Sequence, residues 1–223
     1  MALQLLEQSG VAAPAGEPGS AAWMQAVIDG LCDLSSRDAL TGLSNRRNFQ
    51  VALLREIDRV ARAGEPALLL TADIDHFKQV NDRCGHAAGD LVLKAVAAAL
   101  QDSVRPMDTV ARIGGEEFAI ILPNCPPAFG EAVAERIRRR VADRPVAISP
   151  RHEINVSVSI GGAYAPQWVR STATVWCERA DLQLYRAKAQ GRNRVCIEPT
   201  AVSLVSAEEK GLLFGTSQFM DLE

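Results

Sequence analysis

The sequence predicts an α+β fold in which helices cover one face of a mostly antiparallel sheet. Strand-like apolar runs and helix-like segments follow in the order strand, helix, hairpin, helix, strand, helix, strand, with one further helix in front. A Gly-Gly pair inside an apolar run indicates a hairpin, and hence antiparallel pairing. The 223 residues suffice for one substantial domain with extensions.

The N-terminal part divides into two segments. Residues 1–20 are rich in Ala, Gly, Pro and Ser, which is typical of a flexible leader. Residues 21–36 are predicted to form a helix whose apolar positions follow a 3, 4, 3 spacing: Met24, Val27, Leu31 and Leu34. Because two heptads alone are marginally stable in water, this helix either dimerises with a second copy or lies against the domain.

The main domain is predicted over residues 37–197. Its first helix, over 45–63, is capped by Asn45 and carries apolar residues at helical spacing. The unbroken apolar run over 67–73 predicts a buried strand. A helix with a packing face of Leu, Val and Ala is expected over 86–101.

The second half of the domain continues the alternation. Residues 109–122 are predicted to form two strands joined at Gly114-Gly115. Residues 154–160 alternate strictly between apolar and polar, which predicts a half-buried strand. The remaining elements are predicted as helices over 126–142 and 173–190 and a closing strand over 194–197. This layout is similar to a ferredoxin-like or palm arrangement.

Residues 198–223 lie outside the predicted core. Ser206 and Glu209 have the spacing of a capping box, which favours a short helix before an apolar cluster. Such a helix would dock on the domain or on a partner. A disordered tail is the equally weighted alternative.

Bulk composition excludes several classes of protein. With a net charge of −3 and 5% aromatic residues, no attraction to nucleic acid is expected. No basic residue precedes Arg37, which argues against a secretory signal, and no apolar run is long enough to span a membrane. The five cysteines include no CxxC pair, so neither a disulfide framework nor a zinc site is expected. We therefore expect a cytoplasmic protein.

Acidic residues end or interrupt two of the predicted strands. Asp73 closes one strand, and Glu116 follows the glycine pair of the hairpin, so two neighbouring strands each present a carboxylate. Mg²⁺ commonly takes one or two carboxylates and fills its other positions with phosphate and water. The adjacent Glu117 adds repulsion that a cation would relieve. Helix capping is the alternative role for Asp73, and we interpret Asp75 as a cap of the following turn.

Glycines and basic residues extend this constellation. Gly114 and Gly115 leave room for a base or phosphate near the backbone, and a tight hairpin turn is a compatible alternative. Lys78, Lys188 and Arg192 are candidates to neutralise a triphosphate. For Lys188 and Arg192, a solvated helix terminus is the alternative.

Together these stretches resemble the GGDEF family of diguanylate cyclases over about residues 35–197. The resemblance depends on five ordered motifs: residues 38–47 (DALTGLSNRR), 73–78 (DIDHFK), 81–90 (NDRCGHAAGD), 114–118 (GGEEF) and 185–193 (YRAKAQGRN). Glu at the third position of the signature is a variant common among active members. Five motifs in one order are far more specific than any one of them.

The resemblance implies condensation of two GTP molecules into cyclic di-GMP, with release of two pyrophosphates. It implies that Asp73, the Ile74 carbonyl and Glu116 hold Mg²⁺, with Mn²⁺ possible. The other implied contacts are guanine at Asn81 and Asp90, phosphate at Lys78, Lys188 and Arg192, and close backbone approach at Gly114 and Gly115. Lys78 and Glu116 are the implied catalytic residues, with Glu116 or a water accepting the proton.

The resemblance also implies a homodimer, because each domain holds one GTP. Arg105 and Asp108 match the family's RxxD product-inhibition site, with Arg136 as a supporting arginine. A regulatory partner protein is a further expectation. The alternatives are a non-catalytic receptor for GTP or cyclic di-GMP, which usually lacks the metal acids, and a cyclase of different product, which needs other base-reading residues.

Overall fold

The computed structural model of the chain describes residues 2–8, 14–166 and 171–199. The helices in this part of the chain are α1 (Ala2–Gln8), α2 (Ala21–Ser36), α3 (Arg46–Ala63), α4 (Phe77–Cys84), α5 (His86–Gln101), α6 (Pro127–Ala142) and α7 (Ala173–Ala189). The strands are β1 (Leu68–Ile74), β2 (Thr109–Arg112), β3 (Glu117–Leu122), β4 (Val146–Ser149), β5 (His152–Ile154), β6 (Val158–Tyr164) and β7 (Val195–Ile197).

A five-stranded sheet in the order β2-β3-β1-β6-β7 organises the domain. Only the β6–β7 pair in it is parallel, so the prediction of a mostly antiparallel α+β sheet is confirmed. β1 occupies the centre, between β3 and β6, and the β2–β3 hairpin joins where the Gly-Gly pair predicted it. β4 and β5 form a separate two-stranded sheet.

The prediction that helices cover one face of the sheet is wrong, because both faces are covered. On one face, Leu68, Leu70 and Ile74 of β1 share a core with residues of α5 and α6. On the other, Leu69 packs in a second core with residues of α3 and α7, among them the fully buried Trp176. Every residue of β1 is buried, as expected for a central strand between two helical layers.

The strand predicted over residues 154–160 is also different in the structure. β5 ends at Ile154, residues 155–157 leave the sheet, and β6 begins at Val158. β6 is buried along its whole length rather than on alternate residues, because it lies between β1 and β7 under helices on both sides. Its serine and glycines pack inside the domain, so the alternation in sequence did not indicate a solvent-facing side.

α4 is missing from the predicted order of elements. It begins directly after β1, with His76 in the left-handed conformation at its N-cap, and it buries Phe77. Eight residues with only one buried side chain give a weak periodic signal, which is why the pattern did not separate it from the turn.

The N-terminal segment, predicted as a flexible leader, contains a helix. Residues 2–8 form α1, because Ala, Leu, Gln and Glu favour helix and the glycines and prolines begin only later. Leu6 is buried against Gly30 of α2, and Val27 of α2 is buried as well. The predicted helix over 21–36 is confirmed, although Val27 of the proposed seam is covered within the chain.

The short helix or tail expected over residues 198–223 lies, beyond Pro199, outside the residues that the structure describes. Among those that are described, no helix combines the length and apolar character needed to cross a membrane.

Candidate active site

The site lies where β1 ends beside the β2–β3 hairpin. Asp73, next to last in β1, is paired across the ladder with Glu117, the first residue of β3. The Ile74 amide donates a hydrogen bond of 3.3 Å to the Glu116 carbonyl. Antiparallel pairing therefore brings the two predicted metal acids, Asp73 and Glu116, to the same end of neighbouring strands.

The carboxylates interact electrostatically. Burial raises the pKa of Glu116, and the charge of Asp73 raises it further, while Lys188 lowers it and Glu117 raises it. Asp73 is buried, and its Oδ2 lies 2.8 Å from Nζ of Lys188. One lysine thus faces a cluster of three acids, which leaves an excess of negative charge at the strand ends.

This arrangement fits a divalent cation that arrives with a phosphate ligand. Within residues 2–8, 14–166 and 171–199, no group of three or more His, Cys, Asp and Glu side chains is arranged to hold a metal. Mg²⁺ does not need such a group, because one or two carboxylates with phosphate oxygens and water complete its octahedron. Asp73 and Glu116 would supply the carboxylates, and the Ile74 carbonyl is the adjacent backbone oxygen.

The Gly-Gly turn is fixed by contacts that the sequence did not reveal. A Cβ on Gly114 would lie 2.3 Å from Oε2 of the exposed Glu117, so a side chain at this position would displace the Glu117 carboxylate. Gly115 meets nothing within 4 Å and opens on free space. Nη2 of Arg112 donates to the Gly115 carbonyl at 2.7 Å, and Nη1 reaches Asp38 at 3.2 Å. A side chain at Gly114 would therefore disturb Glu117, whereas Gly115 leaves the surface accessible.

Asp75 has a structural role, but not as the predicted cap. The N-cap of α4 has no side-chain hydrogen bond. The Asp75 carboxylate instead accepts hydrogen bonds from the hydroxyls of Ser157 and Ser159, each at 2.6 Å, and from the Asn193 amide at 3.0 Å. These donors lie 82 to 118 residues away in the chain, too far for a local sequence pattern to reveal.

The two predicted guanine-reading residues lie on α4 and α5, which meet at Gly85. The Asn81 side chain lies against Gly89, where an added Cβ would come within 2.0 Å of its Oδ1. Asp90 is the next residue and is exposed. Asn81 therefore packs against α5 at the position directly before Asp90.

Comparison with known proteins identifies the family of this domain. The family described as Diguanylate cyclase, GGDEF domain matches residues 35–194. The chain belongs to this family. The GGDEF domain thus accounts for the predicted region of resemblance and leaves α1 and most of α2 outside it.

Individual relatives agree with this assignment. Diguanylate cyclase A of Treponema denticola is 38% identical over 170 residues, which cover 75% of this chain and 45% of that protein. The coiled coil and GGDEF domain of DgcB from Caulobacter crescentus, solved with c-di-GMP, superposes with a TM-score of 0.74 at 32% identity, covering 78% of this chain and 92% of that one. Diguanylate cyclase SiaD of Pseudomonas aeruginosa, solved with its activator SiaC, gives 0.73 at 35% identity, covering 78% and 66%.

The chain spans less than half the length of the first curated relatives that it matches, between 37% and 45% for three of them.

The remaining phosphate candidates of the GGDEF domain lie on segments next to the same strand end. Lys78 is exposed at the second position of α4, directly after the β1 turn. Lys188 is in the last turn of α7, and Arg192 follows in a turn with φ of 63°. The structure thus brings Lys188 to Asp73 of β1, and it places Lys78 and Arg192 on the neighbouring segments.

The predicted product-site residues also lie together in the GGDEF domain. The Arg105 amide donates to Oδ2 of Asp108 at 2.7 Å. Burial raises the pKa of Asp108, against the lowering effect of Arg105 and the charge of Arg136. Nη2 of Arg136 donates to the Ser103 carbonyl at 2.7 Å. One acid therefore interacts with arginines from the loop before β2 and from α6.

Proposed function

We propose that this chain is a diguanylate cyclase that condenses two GTP molecules into cyclic di-GMP and releases two pyrophosphates. The observation that carries the proposal is that Asp73 and Glu116 lie at the same end of neighbouring strands. The charge of Asp73 raises the pKa of Glu116, and a bound cation would relieve this repulsion. Family membership and relatives named diguanylate cyclase support the same reaction.

In the proposed reaction, the 3′-hydroxyl of one GTP attacks the α-phosphorus of the other and pyrophosphate leaves. Bound Mg²⁺ would supply charge stabilisation and a more acidic hydroxyl. Asp73, Glu116 and the Ile74 carbonyl would hold it. Glu116 or a water accepts the proton, and Lys78, Lys188 and Arg192 balance the charge of the triphosphate.

Base choice in this proposal depends on Asn81 and Asp90. A carboxylate accepts from both N1–H and the 2-amino group of guanine, and adenine offers no such pair of donors. The amide of Asn81 supplies a donor to a ring nitrogen or carbonyl. Asn81 packs against Gly89, the residue before Asp90, and this supports the proposal that the pair favours GTP over ATP.

Each domain offers one such site, so the proposed reaction requires two copies that face each other. Met24 and Ile28 are exposed on α2 and are one helical turn apart, which makes this stripe a candidate dimer contact. We further propose feedback by product at Arg105, Asp108 and Arg136. A bound partner protein is a second possible route of control.

Incubation of the purified chain with GTP and Mg²⁺, followed by mass analysis of the product, tests the proposal. Wild-type protein should yield cyclic di-GMP and pyrophosphate. Glu116→Gln should still fold and should form no product. Binding of GTP or cyclic di-GMP by the wild type without turnover would instead favour the alternative class, a nucleotide receptor.

A further inference from the structure

The buried carboxylate of Asp75 holds together three segments of the domain. Both oxygens are used, since Oδ1 accepts from Ser159 and Oδ2 accepts from Ser157 and from the Asn193 amide. The Asp75 amide also donates to the Ser157 carbonyl at 2.9 Å. The end of β1, the entrance to β6 and the turn after α7 therefore meet at one side chain.

The turn after α7 has an unusual backbone. Gly191, Arg192 and Asn193 follow one another with φ values of 115°, 63° and 45°. Glycine and asparagine tolerate the left-handed region, but an arginine there is disfavoured and persists only when its surroundings hold it. The Arg192 amide bonds to the Ala187 carbonyl at 3.1 Å, and the Asn193 amide bonds to Asp75.

A second contact holds the same turn from outside. Nη1 of Arg138, on α6, donates to Oδ1 of Asn193 at 2.6 Å. Arg138 is itself fixed by a fork of two hydrogen bonds to Glu135, at 2.8 and 2.7 Å. Asn193 is therefore held through its backbone by β1 and through its side chain by α6.

We infer that Asp75 is a positioning residue that holds the turn of residues 191–193, and with it the Arg192 side chain, in place for a triphosphate. Asp75 does not touch the substrate in this role, and Arg138 reinforces it. The inference rests on the proposed function, because it assigns Arg192 to a phosphate. Asp73 and Asp75 thereby both tie β1 to the end of α7, through Lys188 and Asn193 respectively.

Hydrogen exchange of the Asn193 amide tests the first half of the inference without any reaction. Asp75→Ala should speed this exchange by about tenfold or more, as expected when a hydrogen bond to a charged group is lost. Asp75→Asn keeps an acceptor oxygen and should recover most of the protection. Unchanged exchange in a folded Asp75→Ala protein would overturn the inference.

Binding of a non-hydrolysable GTP analogue with Mg²⁺ tests the second half. Asp75→Ala should weaken this affinity by about tenfold, and Asp75→Asn should restore most of it. A freed turn with unchanged affinity would show that the turn does not position Arg192. If the wild type itself fails to bind the analogue, the proposed function fails, whereas the exchange experiment still decides whether Asp75 holds the turn.

A second variant keeps the test decisive if Asp75→Ala does not fold. Arg138→Gln removes the contact with Asn193 together with the ion pair to Glu135, and it should raise exchange at residues 191–194 and weaken analogue binding by about two- to tenfold. Arg139→Gln is the matched control, because Arg139 also bonds Glu135 and, within the part of the chain that the structure describes, has no hydrogen bond to Asn193. Equal effects of the two variants would contradict the inference.

Discussion

The ammonium group of Lys188 lies 2.8 Å from a carboxylate oxygen of Asp73, so the candidate metal ligand carries its own counter-charge before any nucleotide binds. If Asp73 holds a cation and Lys188 contacts a triphosphate as proposed, binding of the two together would replace this ion pair. The two events are therefore expected to be linked.

Removing the lysine should destabilise the free protein. Lys188→Met leaves the buried Asp73 without a cation, at a cost of roughly 1–2 kcal/mol in the free energy of urea unfolding. Added Mg²⁺ should recover more stability in this variant than in the wild type. The loss should disappear in an Asp73→Asn background, and exposed Lys94→Met serves as the control. If Lys188→Met lowered the stability of the Asp73→Asn protein by the same amount, the proposed contribution of the Lys188–Asp73 ion pair would be contradicted.

Adding a methyl group at Gly89 should weaken recognition of the guanine base more than it changes the stability of the fold. Alanine in a helix interior gains about 1 kcal/mol over glycine. Its Cβ would displace the Asn81 side chain and crowd Phe77, which lies 3.2 Å from that position. We expect Gly89→Ala to leave the melting temperature nearly unchanged while weakening GTP affinity about tenfold, measured by calorimetry. Ala87→Ser on the same helix is the control, and retained affinity in Gly89→Ala would argue against the role of Asn81.

A charge on the exposed stripe of α2 should separate turnover from binding. Ile28 is 52% exposed, so Ile28→Asp does not disturb a core. If α2 brings two domains together, the variant should lose most turnover and dimer mass by light scattering while its affinity for GTP changes less than about twofold. Ala26→Asp adds the same charge elsewhere on the helix and should retain activity. Parallel loss of turnover and GTP affinity in Ile28→Asp would refute control by dimer geometry.

Product feedback should depend on the loop before β2. Arg105→Ala removes the guanidinium that would grip guanine and phosphate, so added cyclic di-GMP should no longer slow the variant. Initial turnover without product should stay near the wild-type value. Arg151→Ala, in the exposed β4–β5 turn, controls for the loss of a positive charge. Unchanged inhibition in Arg105→Ala would exclude this site.

The ion pairs of α6 should make stability depend on pH in the acid range. Hydrogen bonds from Arg138, and further ones from Arg139, lower the pKa of Glu135 from 4.5 to about 2. The pKa of Glu135 is lower in the folded state than in the unfolded state. The stabilisation is therefore complete above about pH 4.5 and is lost as the pH falls toward 2. Glu135→Gln should cost about 1 kcal/mol at pH 7, since the pair is partly exposed. In urea titrations, the difference in unfolding free energy between the wild type and Glu135→Gln should become smaller below pH 4.5. A difference that does not change with pH would contradict the pairing.

The sequence predicted the position of Asp73 and Glu116 at neighbouring strand ends better than it predicted the helical layers around the sheet. Strand ends and a glycine turn locate Asp73 and Glu116 because both signals are local. Helices on both faces were not predicted, because β6 has a serine and two glycines among its buried residues and so resembles a half-exposed strand.

Long-range polar contacts were equally hidden. The partners of Asp75 come from β6 and from the turn after α7, and no spacing rule connects such distant positions. α1 was missed for a different reason, since its helix-forming residues were averaged with the glycines and prolines that follow them.

The two edge strands of the main sheet affect how the protein associates with itself in concentrated solution. β2 has four residues and β7 has three, and Ser44 forms a bridge alongside Ala111 of β2. Arg179 and Glu198 pair just beyond β7. Short borders with charged flanks offer little template for another chain to add a strand. Self-association of this domain should therefore proceed through helical surfaces, and amyloid-like stacking of its sheets is disfavoured.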